Sequence, residues 1–395
     1  MNHSDDTTRI LISKQAAQRV AATINRRRFL ALGGGAAALA ALAACGSSSS
    51  SNTNASQNSG GTEPKKFAKN LNMFTWAEYD DPDLLKSWGN ISLTIFNSNE
   101  EAIQKLVQGG GSSGFDMVVP TGVYIPQLAK AGMLAELDKT RIPNFSNLDP
   151  AYANQTWDPG NKYSVCKNWG TTGWIYDTTI VKTEIKTWAD FIKVAQTEAS
   201  GKTSVIDTPP NLAGIYFWAN GIDWTTEKTE DLDACAKFMV NEFAQHIKAF
   251  DSYPGVNLTT GSYALSQVWN GDARQGLLSV KEAKDDPSRY KWGIGTPVTE
   301  LWMDNWCILK SAKNVDAAYD FINFILDPAN SVKDLNFHGY NTGIKGVDAL
   351  AADIDFKDMV FFDDAQVATM RSGAVNSAQE KIVKIYSDVK AKAGG

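Results

Sequence analysis

Histidine is almost missing from this chain: there are three in 395 residues, His3, His246 and His338. So few, so far apart, exclude a zinc centre of clustered imidazoles, and four cysteines without a Cys-x-x-Cys spacing exclude a thiolate one. A phosphate-binding loop is also lacking. The glycine-rich run Gly109 to Gly114 has no Lys-Ser/Thr after it and precedes a strand instead of following one, so it reads as a flexible connection. No apolar run is long enough for a permanent membrane helix; the longest candidate, Ala31 to Ala44, falls short of the roughly 20 residues required. Nor does the chain carry an excess of positive charge. Its formal net charge is −6, which argues against nucleic acid or anionic lipid as a partner and permits a cationic ligand.

What the first residues do contain is an address. Asn25-Arg26-Arg27-Arg28-Phe29-Leu30 ahead of the short apolar stretch resembles a twin-arginine export signal, so residues 1–44 are expected to be a cleaved signal peptide. Leu42-Ala43-Ala44-Cys45 resembles the bacterial lipobox, which makes Cys45 the expected site of lipidation and the new N-terminus. Removing residues 1–44 takes away six basic and two acidic side chains, and the net charge goes from −6 to −10. Residues 45–65 follow as a lipidated cysteine and a tether of Ser, Asn, Gly, Thr and Gln, too polar to bury a core. Three cysteines then remain, Cys166, Cys235 and Cys307. They permit at most one disulfide, with Cys166 and Cys307 as the candidate pair.

From Lys66 the pattern alternates strand and helix. Leu71 to Trp76 and Ile91 to Phe96 read as strands. Asp116 to Pro120 is a short buried one, with helical spacing around Leu84 to Trp88, from Glu100 to Val107 and from Ile125 to Met133. Periodicity fades between Ile142 and Trp169 and resumes with a strand at Gly173 to Tyr176. A capped helix from Thr187 to Glu198, a strand at Thr203 to Ile206, a helix from Asp231 to Phe250 and another from Ala317 to Leu326 follow. The expected fold is α/β with two lobes, each a mainly parallel sheet flanked by helices: residues 66–171 with 303–347, and residues 172–302 with 348–395. Ligands of such sheets bind beyond the carboxyl ends of strands, so the cleft between the lobes is the expected site.

Twelve tryptophans are many, and several aromatic residues sit beside acids or turns. They are Trp76-Ala77-Glu78-Tyr79, Val123-Tyr124, Val268-Trp269-Asn270-Gly271, Trp302-Met303-Asp304 and Gly339-Tyr340. Aromatic faces attract a cation by about 0.5–2 kcal/mol each, and a buried carboxylate adds direction. The bland alternative is that each Trp is core and each acid a solvated cap.

Taken together, these segments resemble the spermidine/putrescine-binding proteins of bacterial polyamine importers. The same resemblance runs through Ser98-Asn99-Glu100, Phe115-Asp116-Met117-Val118-Val119-Pro120, Asn144 to Pro150, Trp169-Gly170, Thr187-Trp188-Ala189-Asp190 and Ile322-Asn323-Phe324. It implies a periplasmic-type binding fold, monomeric and without cofactor, metal or catalysis, that closes on a polyamine and delivers it to an ABC permease. Carried over by position, Trp76 and Tyr79 would line the cleft from one lobe, with Thr121 at a hydroxyl contact; where the family has a second aromatic residue this chain has Val123, and the adjacent Tyr124 is the candidate in its place. Trp269 and Trp302 would sandwich the methylene chain, Asp304 would hold an amino group and Tyr340 would close the pocket. The sequence departs from the family where an acidic pair is expected, because only Asp207 is acidic between Ser204 and Leu212. Arg371, near another expected contact, would oppose a dication if it faced the cleft and would favour a ligand with a carboxylate. Another cationic or zwitterionic solute, or a sensory role, stays open; a cell-surface hydrolase is disfavoured by the lack of a nucleophile and base.

Overall fold

The computed structural model describes residues 67–109 and 113–394; the signal, Cys45, the tether and the middle of the Gly109–Gly114 connection lie outside them. Ten strands follow one another as β1 (Asn70–Thr75), β2 (Asn90–Ile95), β3 (Met117–Val118), β4 (Ser164–Asp177), β5 (Thr203–Ile206), β6 (Ile247–Asp251), β7 (Leu265–Trp269), β8 (Tyr290–Ile294), β9 (Thr299–Ile308) and β10 (Met370–Ser372). They form one mixed sheet in the order β2-β1-β3-β9-β4-β7-β5-β6, with β10 on β9 and β8 on β4. The α/β class is as expected. Pairing is parallel among β1, β2 and β3 and among β5, β6 and β7, where helical crossovers join the strands, and antiparallel wherever β4 is a partner.

β4 is buried along all fourteen of its residues and serves both halves of the sheet. Ser164 to Thr171 pair with β9, whereas Thr172 to Asp177 pair with β7 and β8, so the strand changes partners between Thr171 and Thr172. Around its first half pack Met73, Trp88, Trp169, Trp306 and Phe321; around its second half pack Trp174, Trp188, Phe191, Phe217 and Trp218. Burying each such side chain contributes about 1.5–3 kcal/mol or more, so both halves have cores of their own.

Helix boundaries follow local chemistry. Asp81 caps the helix Pro82–Trp88 through the amides of Asp83 and Leu84, with proline at the first position where no amide is needed. Thr187 and Asp190 form a reciprocal capping box on Trp188–Gln196. The helix Pro328–His338 starts on Asp327 and stops at Gly339, whose φ of 80° suits glycine, and the chain then turns to present Tyr340. Two readings of the sequence are corrected. The region before Trp169 is already strand from Ser164, and the helix expected to run to Phe250 is α-helical to Phe238, continues as a π turn (Met239–Phe243) and a 3-10 turn (Ala244–His246), and gives way to β6 at Ile247. Cys166, Cys235 and Cys307 are free and buried; burial pushes the Cys235 thiol up to about 12. Among the described residues no helix is long and apolar enough to cross a membrane.

One buried cation ties β4 to two other segments. The Nζ of Lys167 donates to the Tyr79 carbonyl (2.9 Å), Asp80 Oδ1 (2.9 Å) and Asp334 Oδ2 (3.1 Å), with all three charged side chains essentially inaccessible. Its ammonium also lies 4.6 Å from the Tyr79 ring centroid and 4.5 Å from that of Trp306. Burial works against ionisation of Asp334, but Lys167 and His338 hold its carboxyl well below the usual range. Lys167→Met leaves buried carboxylates without their cation and is expected to cost roughly 3–5 kcal/mol in denaturant unfolding, part of it recovered when Asp334→Asn is added. A loss below about 1 kcal/mol would contradict that role for the ammonium.

Candidate functional site

The loops that leave the carboxyl ends of β1, β3, β5 and β7 open onto one cleft of about 1610 Å³, solvent at its mouth included. Trp76, Glu78 and Tyr79 come from the loop after β1, Thr121 and Tyr124 from that after β3, and Asn211 from the helix after β5. Trp269 comes from the end of β7, Asp272 from the first turn of the helix Asn270–Glu282 that follows it, and Ser372 from β10. β9 crosses the cleft directly. Its alternation puts Glu300, Trp302 and Asp304 on one face.

The aromatic walls are braced from behind. Trp76 donates its indole N–H to the Val119 carbonyl (3.0 Å) and meets Phe96 edge-on. Trp302 and Tyr340 pack edge to face at 4.8 Å, and Tyr340 meets Tyr79 at 5.9 Å. Two glycines make room for these rings. A Cβ on Gly170 would lie 2.5 Å from the Trp302 ring, and one on Gly271 would lie 2.4 Å from the Tyr340 ring. The strings Trp169-Gly170 and Trp269-Asn270-Gly271 are thus explained by close approach of aromatic residues to backbone.

Among the described residues five carboxylates line this cleft, from Glu78, Glu100, Asp272, Glu300 and Asp304, and no Lys or Arg does. Each of the three deepest has an oxygen held by the protein. Asp304 Oδ2 accepts from the Tyr79 hydroxyl (2.7 Å), while its Oδ1, also buried, makes no hydrogen bond of normal geometry, although the Thr121 side chain lies close enough to favour the charged form. Glu300 Oε2 accepts from Thr172 Oγ1 and Asn211 Nδ2, both at 2.5 Å. Asp272 Oδ2 accepts from the Tyr340 hydroxyl. Burial is the main cause that pushes Asp304 up to about 6 and Glu300 and Asp272 up to about 7. Glu100 accepts from the Tyr124 hydroxyl (2.6 Å), and Thr121 is fixed by a reciprocal pair of 3.0 Å bonds with Asn99.

Eight residues singled out from the sequence therefore meet in one place: Trp76, Tyr79, Thr121, Tyr124, Trp269, Trp302, Asp304 and Tyr340. Asp207 does not join them. Its Oδ1 accepts from Lys390 Nζ (2.7 Å) and the Tyr386 hydroxyl (2.5 Å), both on the helix Gln379–Ala393, and it is absent from the cleft wall. Arg371 is also elsewhere: exposed, it donates to the carbonyls of Ala368 and Met370, so the cation that would have opposed a dication is outside the cleft. Glu300 and Asp272 escaped the sequence reading. Glu300 could have been found by extending the strand alternation two residues back from Trp302, and Asp272 by noting the acid directly after Gly271. Among the described residues no group of three or more His, Cys, Asp or Glu side chains is placed to hold a metal ion.

The family model for bacterial extracellular solute-binding proteins matches residues 89–364. A relative in Haemophilus influenzae, spermidine/putrescine-binding periplasmic protein 1, is 27% identical over 303 residues, which is 75% of this chain and 81% of that protein. The putrescine-binding periplasmic protein PotF of Escherichia coli is 29% identical over 276 residues, 66% of this chain and 74% of its own. Among solved structures, the spermidine/putrescine ABC transporter substrate-binding protein PotD of Streptococcus pneumoniae superposes with a TM-score of 0.65 at 26% identity. That match covers 82% of this chain and 98% of that one.

The raised carboxyls carry a sign for stability. Because their folded values exceed the ordinary range of about 4, the native state holds protons between roughly pH 4 and 7 that the unfolded chain has released. The three groups thus contribute stability at acid pH that is lost as pH rises through 6 to 7. The melting temperature of the ligand-free protein is expected to fall between about pH 5.5 and pH 8, and to fall less in Glu300→Gln. An unchanged fall in that variant would remove Glu300 from the groups responsible.

Proposed function

Because the chain belongs to the bacterial extracellular solute-binding protein family, we propose that it captures a polyamine, putrescine or spermidine, and passes it to the permease of an ABC importer. The observation that carries this reading is the cleft itself, lined among the described residues by five acids, no Lys or Arg, and walls of Trp and Tyr. A polyamine is an apolar chain with cationic nitrogens. Its methylenes suit Trp269, Trp302 and Tyr340, and its ammonium groups suit carboxylates that each keep an oxygen free. Asp304 is the first anchor, since its Oδ1 is buried beside Trp302 and makes no hydrogen bond of normal geometry. The spermidine/putrescine-binding relative of Haemophilus influenzae and the putrescine-binding relative of Escherichia coli support the same ligand class.

On this reading residues 66–171 with 303–347 and residues 172–302 with 348–395 act as two lobes that close over the ligand about the strands joining them. The position of Arg371 outside the cleft favours a polyamine over a solute with a carboxylate. No step of chemistry is required of the site; binding and release complete the role. Cys45, lipidated, would hold the monomer at the outer face of the membrane within reach of the permease.

Titration calorimetry of the mature protein against putrescine, spermidine, acidic amino acids and zwitterionic amino acids is expected to give saturable heat with the polyamines alone. Binding of another solute with no heat from any polyamine would sink the proposal. Asp304→Ala is expected to weaken polyamine binding at least about tenfold with little change in melting temperature, a loss on the low side for an unpaired buried charge. Equal affinity in that variant would take Asp304 out of the site. Intact-mass measurement of the membrane-extracted protein is expected to show a diacylglycerol-modified N-terminus at Cys45, and an unmodified one would overturn the anchor.

A further inference from the structure

The sequence places an acid where a second ammonium would be gripped, at Asp207, but that carboxylate is neutralised by Lys390 and turned away from the cleft. A different acid faces the cleft. Glu300 is 8% exposed and lies on the same face of β9 as Trp302 and Asp304, so the strand presents acid, indole and acid in alternation. Its carboxylate is held at one oxygen only. Thr172 of β4 and Asn211, in the first turn of the helix Pro209–Ala219, both donate to Oε2, and among the described residues none donates to Oε1. Asn211 is itself fixed by Thr208 Oγ1 (2.6 Å) and by Gln267 Nε2 on its carbonyl (2.9 Å), which makes the cradle rigid.

A structural role alone does not account for a carboxylate here. A tie between β9, β4 and the helix would be made as well by Gln, without the cost of desolvating a charge beside a second acid. The arrangement repeats that of Asp304, where Tyr79 holds one oxygen and the other makes no hydrogen bond of normal geometry. Resting on the polyamine reading, we propose that Glu300, and not Asp207, is the second ammonium anchor, so that the ligand's chain lies along β9 across Trp302 with one cationic nitrogen at each acid. The class of ligand selected is accordingly a dication or longer polyamine, with a monoamine excluded from strong binding.

Calorimetry with putrescine, its homologue one methylene longer, and butylamine tests this on the mature protein and two variants. Glu300→Gln keeps the shape and the hydrogen bonds but not the charge; it is expected to weaken putrescine more than about tenfold and butylamine less than about twofold. Glu300→Asp keeps the charge and withdraws it by one methylene, and is expected to shift preference toward the longer diamine. It serves as the test if the Gln variant does not fold. Equal losses for diamine and monoamine, or no loss for either, would overturn the role of Glu300 while leaving polyamine capture intact. Failure of the unsubstituted protein to bind any amine would overturn both.

Discussion

The ammonium of Lys167 is the point on which the geometry of the cleft depends. It sits on β4, in the centre of the sheet, and its three hydrogen bonds reach the loop after β1 and the helix Pro328–His338. Both segments carry residues of the cleft wall. From this centre the bonding continues outward in one direction. The Tyr340 amide donates to His338 Nδ1 (3.0 Å), so the imidazole proton is on Nε2, facing Asp334 at 3.3 Å. Burial lowers the imidazole's pKa and favours this neutral form. Asn168 lies between His338 Nε2 (3.4 Å) and the Tyr79 hydroxyl (2.5 Å), and Tyr79 reaches Asp304. A single phenol proton cannot serve both Asn168 and Asp304. That proton goes either to Asn168 Oδ1 or to Asp304 Oδ2, so Asn168 and Asp304 compete for the Tyr79 hydroxyl.

That chain of bonds separates two kinds of buried charge. Behind the wall, Asp80 and Asp334 share the ammonium of Lys167, which holds Asp334 ionised while burial pushes Asp80 up, so the cluster is a structural element whose energy is spent within the protein. At the wall, Asp304, Glu300 and Asp272 receive hydroxyl or amide donors but no internal cation, and their ionisation is suppressed by burial. Donors of this kind orient a carboxylate without discharging it. The cleft therefore keeps an electrostatic demand that a cationic ligand meets, and the aromatic rings around it hold water away from that exchange.

Much of this was legible in the sequence because it rests on local strings. Aromatic residues beside turns mark strand ends, and strand ends in an α/β fold mark the ligand side, as at Trp76, Tyr79, Tyr124 and Trp269; the family resemblance turns those strings into cleft residues and adds Trp302, which lies inside β9. What could not be read were pairings between distant segments. Asp207 looked like a ligand-facing acid because its partner, Lys390, lies 183 residues further on in a helix that gives no sign of its target. Lys167 stood out in no motif, since nothing local distinguishes a lysine that will pair with Asp80 and Asp334 from one in solvent. The strand from Ser164 was missed for a related reason. Buried on every residue, it shows no alternation of apolar and polar side chains, and its Lys, Asn and Thr residues disguise it as loop.

The placement of Asp304 and Glu300 gives the proposed closure a physical basis. Both acids belong to β9, but their protein donors come from opposite sides of the point at which β4 changes partners. Tyr79 follows β1 and packs with the first core, whereas Asn211 starts a helix of the second, and Thr172 is the first residue of β4 to pair with β7. A ligand held at both acids draws on groups fixed by both halves. A ligand that reaches only one acid gains nothing from bringing the halves together, and binding shifts a conformational equilibrium only by the difference in affinity between its states. On the proposed reading, then, the second anchor does more than raise affinity: it makes the response of the fold depend on the number of charges the ligand carries.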